Sequence, residues 1–514
     1  MSIVKSQKMK ILNAPQIKDL DAYTIANEPI ISIELMERAS LAFVKWFVQQ
    51  FPNQDTPIYI YCGPGNNGGD GLAIARLLQQ RFYNVAVYAC QIGSNASKDF
   101  QKNWERLPRH SEMKIFSIWK DDYLEDLQQD AMVIDAIFGS GLNRPIEGYW
   151  ASLIEHLNAQ PVKRIAVDIP SGLYADRHTE GTCIHAHYTF TFEMPKLAFL
   201  FPENQDKVGE WHYETIGSHP DFIHKCDTIY HYLDEAAVRP LLHRRHKYDH
   251  KGTYGHALMI TGSYGKIGAS ILSARACLRS GVGLLTIHAP KCAYPILQIS
   301  IPEAMVSVDR HEFYFSEAPN LERYQAIGVG CGIDTRKTSA EAMETLLEES
   351  KTALVIDADG LNLIAKNKNL LGKIPKNSIL TPHPKEFSRL FGEAADDFAR
   401  NKLQRLMAQE LGVYIVLKGA NTCIATPEGI CYFNSTGNPG MATGGTGDVL
   451  TGIITGLMAQ GYPSCDAAVL GVYLHGLAGD LAAADIGQEA LIAGDLIAYL
   501  GKAFGKVEGL KSGG

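Results

Sequence analysis

Short apolar runs and longer amphipathic runs alternate along the whole chain. This alternation is typical of βαβ units, because a buried parallel strand reads as a short apolar run and its crossover helix as an amphipathic one. The chain carries no short-period internal repeat, which excludes a solenoid or a propeller. The pattern therefore predicts an α/β protein with mostly parallel sheets.

In the first half a helical pattern over Glu34–Phe51 precedes five predicted strands. These are Ile58–Cys62, Val85–Ala89, Met132–Asp135, Ile165–Asp168 and Tyr188–Phe192. The second half continues with six strands and a hairpin-like pair, followed by three long helices. The strands are Ala257–Thr261, Leu284–His288, Ala326–Val329, Ala353–Asp357, Ser378–Thr381 and Tyr414–Leu417, the pair is Thr422–Thr426 with Ile430–Asn434, and the helices are Gly447–Gln460, Ala467–Ala484 and Leu491–Phe504.

The alternation lapses near the middle of the chain, which predicts two domains, 1–220 and 251–510, joined by a linker at 221–250. Within the linker, Asp234–Leu242 is predicted as one short helix, and the basic run HRRHKYDHK follows it. The histidines of this run are possible metal ligands, but we favour a solvated linker. They are His243, His246 and His250.

Composition narrows the class of protein. The chain has 514 residues, of which 46% are hydrophobic. Its net charge is −8, so it lacks the broad cationic surface that binding to a nucleic acid or an anionic membrane needs. Its 10 cysteines form no C-x-x-C pair, which favours a reducing compartment. MSIVKSQKMK has no apolar signal core, and no run is long enough to span a membrane. We predict a cytoplasmic protein without nucleic-acid or membrane partners.

A glycine-rich loop, 63–70, connects a predicted strand to a predicted helix in the first half. Such a loop serves tight packing or phosphate binding equally well. Two further strands end in aspartate, Asp135 and Asp168, each followed by a Gly/Ser turn. Either residue alone reads as a helix cap, but strand ends converge at one edge of a parallel sheet, so the pair predicts a cation or proton-transfer site.

Three motifs, GPGNNGGDG (63–71), VIDAIFGSGLNRP (133–145) and AVDIPSG (166–172), resemble the YjeF N-terminal domain, the NAD(P)H-hydrate epimerase family. The resemblance implies a Rossmann-like α/β/α sandwich, potassium ligands at Asn67, Asp135 and Ser171, and Asp168 as the catalytic acid or base. Lys196 is a second proton-transfer candidate, although a surface lysine is the simpler interpretation. The implied substrate contacts are Asn66, Asn67, Gly68, Gly69, Asp70, Gly139, Ser140, Gly141, Leu142, Asn143, Arg144 and Pro145.

The second half contains GNPGMATGGTGDVLTGIITGLMAQG, 437–461, whose GGTGD cluster opens a predicted helix. The free N–H groups of Gly444–Gly447 and the helix dipole predict an anion hole for a transferring phosphoryl group. Asp448 follows in the first turn, where it is a helix cap or, as we favour, the base that deprotonates the acceptor hydroxyl. No GKS or GKT follows the glycines, so this is not a Walker A loop.

This region resembles the ribokinase-like superfamily. Five further motifs narrow the resemblance to the YjeF C-terminal dehydratase domain. They are HKGTYGHALMITGSYGKIGASILSARACLRSGVGLL (250–285), IPEAM (301–305), IDADGLN (356–362), TPHPKEFSRL (381–390) and VLKGANT (416–422). HPKE, with Lys385, replaces the commoner HPGE. The implied contacts to the hydrated dinucleotide are Gly332, His383 and Asp448. Those implied for the nucleotide are Lys418, Gly419, Ala420, Asn421, Thr422, Gly444, Gly445, Thr446 and Gly447, within the glycine segment 437–447.

Together the two resemblances imply repair of hydrated NADH and NADPH: epimerisation of the (6R) form to the (6S) form, then dehydration of the (6S) form with ADP as phosphoryl donor and Mg²⁺. Related fusions in bacteria and archaea resemble ADP users, and the family resemblance implies a homo-oligomer. Two alternatives remain open, because both kinds of site recur in unrelated functions. The second half could be a small-alcohol kinase, and the first half could be a non-catalytic binding domain.

Overall fold

The computed structural model describes residues 8–92, 96–107 and 113–509. Within them the chain divides into two compact units. The N-terminal unit consists of Lys10–Thr228 with Asp396–Phe398. The C-terminal unit consists of Ile229–Ala395 with residues 8–9 and 399–509.

The first strand of the chain, β1 (Met9–Lys10), belongs to the sheet of the C-terminal unit. The N-terminal unit is built on a separate seven-stranded sheet. Its strands are β2 Ile58–Cys62, β3 Val85–Gln91, β4 Lys114–Trp119, β5 Met132–Ala136, β6 Lys163–Val167, β7 Tyr188–Phe192 and β8 Glu210–Glu214. All neighbours pair in parallel in the order β4-β3-β2-β5-β6-β7-β8, so the carboxyl ends of β2, β5 and β6 meet at one edge.

The helices of the N-terminal unit are α1 Ala14–Asn27, α2 Ser32–Gln50, α3 Asn66–Gln79, α4 Lys98–Arg106, α5 Tyr149–Ala159, α6 Gln205–Val208 and α7 Pro220–Lys225. One hydrophobic cluster joins α2 and α3 to the sheet through Phe43, Phe47 and Leu72, and a second joins α5 to its other face through Leu153 and Leu157. The unit is therefore a three-layer α/β/α sandwich.

The sheet of the C-terminal unit has 11 strands. After β1 they are β9 Tyr230–Leu233, β10 His256–Ile260, β11 Leu284–Ala289, β12 Met305–Val308, β13 Ala326–Val329, β14 Leu354–Ile356, β15 Ile379–Leu380, β16 Tyr414–Leu417, β17 Cys423–Ala425 and β18 Cys431–Asn434. The order is β1-β9-β18-β17-β16-β15-β14-β13-β10-β11-β12. Strands β10 to β16 are parallel, and β17 pairs antiparallel with β16 and β18.

The helices of this unit are α8 Glu235–Val238, α9 Ile267–Arg279, α10 Tyr294–Ser300, α11 Lys337–Glu349, α12 Ala358–Lys366, α13 Pro384–Phe391, α14 Asp397–Leu411, α15 Thr446–Ala459, α16 Ser464–Ile486 and α17 Ala493–Glu508. Helix α15 is buried from Val449 to its end. By length and composition α16 could cross a membrane, but 72% of its apolar window is buried inside the unit, as is typical of a core helix.

The predicted α/β class and its mostly parallel sheets are confirmed, and the predicted strands lie within two residues of observed ones. The predicted linker differs from the structure, because β9 lies inside it and pairs with β18 as part of the second sheet. The single helix expected there is α8 followed by a 3-10 turn, Arg239–Leu241. Most of the basic run is exposed, with the His243 ring stacked 3.7 Å from that of Tyr462. Helix α1 and strands β4, β8 and β12 were not predicted.

Candidate active sites

The first glycine loop connects β2 to α3. A Cβ atom at Gly63 would lie 2.0 Å from the carbonyl oxygen of Ile137, and one at Gly68 would lie 1.7 Å from that of Gly63. Backbone segments therefore approach too closely there for any side chain. Gly65 has open space at the same position and caps the N-terminus of α3. Packing thus requires Gly63 and Gly68, and Gly65 is left facing a cavity.

That cavity has a volume of about 640 Å³ and lies over the carboxyl edge of the sheet. It brings together most of the predicted substrate contacts with Asp168 and Lys196. The predicted residues that line it are Asn66, Asn67, Asp70, Gly139, Ser140, Gly141, Leu142, Asn143 and Arg144. Gly68, Gly69 and Pro145 do not line it, and the two glycines are buried by packing instead.

Asp168 follows β6 with a φ of +67°, a conformation that few non-glycine residues adopt. Its carboxylate lies 3.0 Å from Nζ of Lys196, which is only 1% exposed, so Lys196 is a buried partner rather than a surface lysine. The backbone N–H of Ser140 donates to the same carboxylate over 3.3 Å. Burial alone would raise the pKa of Asp168, but Lys196 and the bonds from Ser140 outweigh it and hold that pKa below its usual range.

Two more carboxyl groups face this pair. Asp21, on α1, has its pKa raised to about 6 by burial and then by the negative charge of Asp168. Burial, Asp168 and Asp21 together raise the pKa of Asp70 well above its usual value. Asp70 therefore favours its protonated form beside the Asp168–Lys196 pair, and Asp21 takes up a proton at a higher pH than an ordinary aspartate does. Asp21 was missed in the sequence, although Asn13 and Gln16 form a capping box that marks the start of α1.

Of the predicted potassium ligands, Asn67 lines this cavity, and Asp135 and Ser171 are buried and do not line it. Asp135 is fully buried, and it accepts bonds from the backbone N–H of Ser171 over 2.7 Å and from the Ser171 hydroxyl over 2.6 Å. The Asn67 side chain is buried too, and its Nδ2 has no hydrogen-bond partner among the described residues. Carboxylate, hydroxyl and amide oxygens are the donors that hard cations prefer, and rotation of the Asn67 amide would offer its oxygen. These residues fit a potassium ion.

In the C-terminal unit the second glycine loop leads into α15. Gly445 has a φ of +93°, and a Cβ atom there would lie 2.5 Å from Cδ1 of Leu272, so only glycine fits. Gly444 has open space instead. Both line a cavity of about 480 Å³ together with Gly332 and Asp448. The N-terminal N–H groups of α15 are thus placed beside Asp448, as an anion hole with an adjacent base requires.

The carboxyl group of Asp448 has its pKa raised to about 6. Burial is the main cause, and the negative charges of Asp357 and Asp359 add to it, whereas a hydrogen bond with Cys331 and the charge of Lys418 act in the opposite direction. A carboxylate with a pKa near neutrality is a better general base than an ordinary one, yet it is still ionised at pH 7. Asp448 is therefore suited to accept a proton from a substrate hydroxyl.

Lys418 lies beside the glycine loop but is already paired. Its Nζ is 2.8 Å from Oδ1 of Asp357, whose Oδ2 accepts a 2.7 Å bond from the hydroxyl of Thr451 on α15. Burial lowers the pKa of Lys418, but the Asp357 charge outweighs it and leaves the pKa raised. Neither this pairing nor the Lys266–Asp359 ion pair at the cavity, 3.1 Å long, was predicted from the sequence. The IDADGLN motif, which contains both aspartates, was the available signal.

The remaining predicted contacts lie outside this cavity. His383 caps α13, with its Nδ1 accepting from the backbone N–H of Lys385 over 3.1 Å. It remains near the site, since the charges of Lys418 and Asp357 act on its pKa, which burial lowers. Lys385 itself is exposed. The other predicted nucleotide contacts that do not line the cavity are Thr446, Gly447, Gly419, Ala420, Asn421 and Thr422, the last four forming a turn closed by Thr422.

Two α/β units, each with an acid–base carboxylate at a glycine loop, define an enzyme with two separate candidate active sites. The family model described as YjeF-related protein N-terminus matches residues 32–198, and the one described as NAD(P)H-hydrate dehydratase matches residues 257–502. The chain belongs to the family of bifunctional NAD(P)H-hydrate repair enzymes.

Curated relatives match over nearly the full length. The chain is 36% identical over 509 residues to the bifunctional NAD(P)H-hydrate repair enzyme Nnr of Moorella thermoacetica, covering 96% of both chains. It is 31% identical over 474 residues to the Escherichia coli enzyme of the same name, covering 91% of this chain and 88% of that one. A crystal structure of the ADP/ATP-dependent NAD(P)H-hydrate dehydratase from Bacillus subtilis, co-crystallised with ATP/Mg²⁺, is 33% identical with a TM-score of 0.48 and covers 54% of this chain and 98% of that chain.

Proposed function

We propose that the chain repairs hydrated NADH and NADPH in two steps. The N-terminal unit converts the (6R) epimer to the (6S) epimer, and the C-terminal unit dehydrates the (6S) epimer while ADP is converted to AMP and phosphate. The observation that carries this proposal is the anion hole of α15 with Asp448 beside it, since that arrangement serves phosphoryl transfer to a hydroxyl. The epimerase step rests on the Asp168–Lys196 pair in the other cavity.

In the epimerase site the C6 hydroxyl of the nicotinamide ring leaves and returns on the other face. The lone pair of the ring nitrogen forms the C=N bond as the C–O bond breaks, and a proton from the Lys196 ammonium group converts the departing hydroxide to water. The Asp168 carboxylate, 3.0 Å from Lys196, stabilises the resulting cation and directs the proton back. Water then adds to the opposite face, so protons and electrons balance over the cycle.

In the dehydratase site Asp448 takes the proton of the C6 hydroxyl. The oxygen attacks the β-phosphorus of ADP, which enters as its magnesium complex, and AMP leaves. Gly444 and Gly445 line the cavity in which the phosphoryl group transfers, and their backbone N–H groups are the proposed donors to it. Phosphate is a good leaving group, so the lone pair of the ring nitrogen expels it, and transfer of a C5 proton to the released phosphate restores the dihydropyridine. Gly332 and His383 are the proposed contacts to the dinucleotide, and Lys418–Thr422 the proposed contacts to the nucleotide.

Potassium is proposed to bind at Asn67, Asp135 and Ser171. The ion would supply a fixed positive charge that compensates the buried carboxylate of Asp135. The family resemblance also supports a homo-oligomer and a cytoplasmic location, and ADP is favoured over ATP for the same reason.

Potassium should raise the thermal midpoint of the N-terminal unit by about 2–4 °C over lithium or choline buffer. All five tryptophans of the chain lie before residue 212, so their fluorescence reports the N-terminal unit alone. Asn67→Ala should abolish the effect with little change in potassium-free buffer, because its Nδ2 has no partner among the described residues. Asn66→Ala, an exposed neighbour, is the matched control. An equal potassium effect in Asn67→Ala would remove this residue from the ligand set.

The function itself is tested by recovery of dihydronicotinamide absorbance from a mixed-epimer hydrate preparation with ADP, ATP or no nucleotide. The native chain should recover the whole pool, because both units act in sequence. Recovery should be faster with ADP than with ATP, because ADP is the proposed donor. If neither nucleotide gives recovery, the dehydratase assignment is wrong and a small-alcohol kinase becomes the better account of the C-terminal unit. If recovery stops at the (6S) fraction, the N-terminal unit is a binding domain.

A further inference from the structure

Helix α16 holds the glycine segment 437–446 through two side chains that the function has not used. The Asp480 carboxylate accepts a 2.9 Å bond from the backbone N–H of Gly437 through Oδ2 and a 2.9 Å bond from Nδ2 of Asn438 through Oδ1. One turn earlier, Nε2 of His475 lies 2.9 Å from the carbonyl oxygen of Thr446. His475 and Asp480 are called the loop clamp below. They form hydrogen bonds with the two ends of the segment that leads into the proposed anion hole.

The helix backbone lies directly against the same segment between these two contacts. A Cβ atom at Gly476 would lie 2.3 Å from Oγ1 of Thr436, and one at Gly479 would lie 2.4 Å from the sulfur of Met441. Two glycines three residues apart therefore let α16 approach more closely than any side chain would allow. The close approach sets the distance between helix and segment, and the loop clamp sets the position of the segment along the helix.

The negative charge of Asp480 does not favour nucleotide binding, which indicates that Asp480 serves to position the segment. A carboxylate near an anion-binding loop repels the phosphates that the loop is meant to bind, so its charge by itself disfavours nucleotide binding. It also occupies the N–H of Gly437, which removes that donor from the set available to phosphate. Asp480 is only partly buried and Gly437 is exposed, so water could satisfy both groups if the contact were lost. Core stability therefore does not require this contact.

The histidine of the clamp is suited to a fixed role as well. Burial lowers the pKa of His475 to about 4, so the ring is neutral at physiological pH. Its Nε2–H donates to the Thr446 carbonyl at the first residue of α15, two residues before Asp448. A neutral donor places no cation beside the nucleotide phosphates and does not change with pH in the working range.

We propose that His475 and Asp480 are positioning residues for phosphoryl transfer, which hold 437–446 in the conformation that binds the nucleotide phosphates. The inference rests on the proposed nucleotide-dependent dehydration. Without the clamp the loop is mobile, and each binding event must then order it, which weakens nucleotide binding. The effect should therefore fall on the KM for ADP more than on kcat.

Asp480→Ala should raise the KM for ADP about tenfold or more and should leave the epimerisation rate of the same preparation unchanged. Asp485→Ala is the matched control, because Asp485 lies on the same helix and contacts Tyr499 and Lys502 instead of the segment. The double variant Asn438→Asp/Asp480→Asn exchanges the two partners. Its asparagine oxygen accepts from Gly437 and its amide donates to the new carboxylate, so the KM should be lower than in Asp480→Ala.

A native KM in Asp480→Ala, or a double variant no better than the single one, would overturn the proposal. If Asp480→Ala does not fold, Asp480→Asn replaces it, because the asparagine amide cannot accept from Nδ2 of Asn438. An unchanged KM in Asp480→Asn contradicts the loop clamp, and a raised KM that Asn438→Asp lowers again supports it. ADP binding to native and variant chains by calorimetry separates this inference from the proposed function. Weaker ADP binding in the variant would support the clamp even if the native chain failed to dehydrate the hydrate, whereas equal binding would reject it.

Discussion

Asp448→Asn should lower ADP-dependent dehydration of the purified (6S) hydrate by about 10²–10⁴-fold, the usual contribution of a general base. Asparagine keeps the size and polarity of the side chain and removes only its basicity. The assay is recovery of dihydronicotinamide absorbance with saturating ADP, and the KM for ADP should change little because the N–H groups of α15 remain. Epimerisation, followed by chromatographic separation of the two epimers, is the control on the same preparation. Near-native dehydration in Asp448→Asn would show that Asp448 is not the general base.

The pH dependence of the native chain tests the same role. Asp448 must be ionised to accept a proton, and its pKa is about 6, so kcat/KM should rise with pH through about 6 and level off above it. Asp359→Asn removes a negative charge that raises this pKa, so the acid limb should shift to lower pH. Lys418→Met removes a positive charge that lowers it, so the limb should shift to higher pH. Identical limbs in all three chains would assign the titration to another group.

Asp168→Asn should abolish epimerisation while dehydration of the (6S) epimer continues at the native rate. A mixed-epimer preparation with ADP would then recover in two phases, first the (6S) fraction promptly and then the rest at the spontaneous rate. The expected loss is about 10²–10⁴-fold, because the variant loses both the negative charge and the proton relay to Lys196. A single prompt phase to full recovery would contradict the assignment.

Folding must be controlled in this variant, since Lys196 is 1% exposed and would be left without its counter-ion. An unpaired buried charge is strongly destabilising. The double variant Asp168→Asn/Lys196→Met removes both charges, and its tryptophan fluorescence reports whether the N-terminal unit is folded. A folded double variant with two-phase recovery assigns the loss to chemistry. A folded double variant that still epimerises would move the proton transfer to Asp21 or Asp70.

Local sequence patterns predicted several residues of both candidate active sites. Asp135 and Asp168 were predicted because each ends an apolar run, and parallel strands bring their ends to one edge. Asp448 was predicted because a glycine cluster opens an apolar helix. These signals lie within about ten consecutive residues, where backbone geometry is set by neighbours in the chain. The same reasoning failed for β9, a four-residue strand whose partner β18 lies about 200 residues away.

Contacts between distant segments could not be predicted in this way. Three such contacts depend on how whole elements pack. They are the approach of Asp21 to Asp168, the ion pair of Lys418 with Asp357 and the hydrogen bond from Gly437 to Asp480. Local sequence patterns were sufficient to predict the class of fold, the family and the candidate sites at two strand ends and one helix start. Three features depend instead on how remote elements pack: which buried charges are paired, which carboxyl groups have a raised pKa, and which helix lies against the second glycine loop. Burial and the distance between remote residues set these energies, and neither can be read from neighbours in the chain.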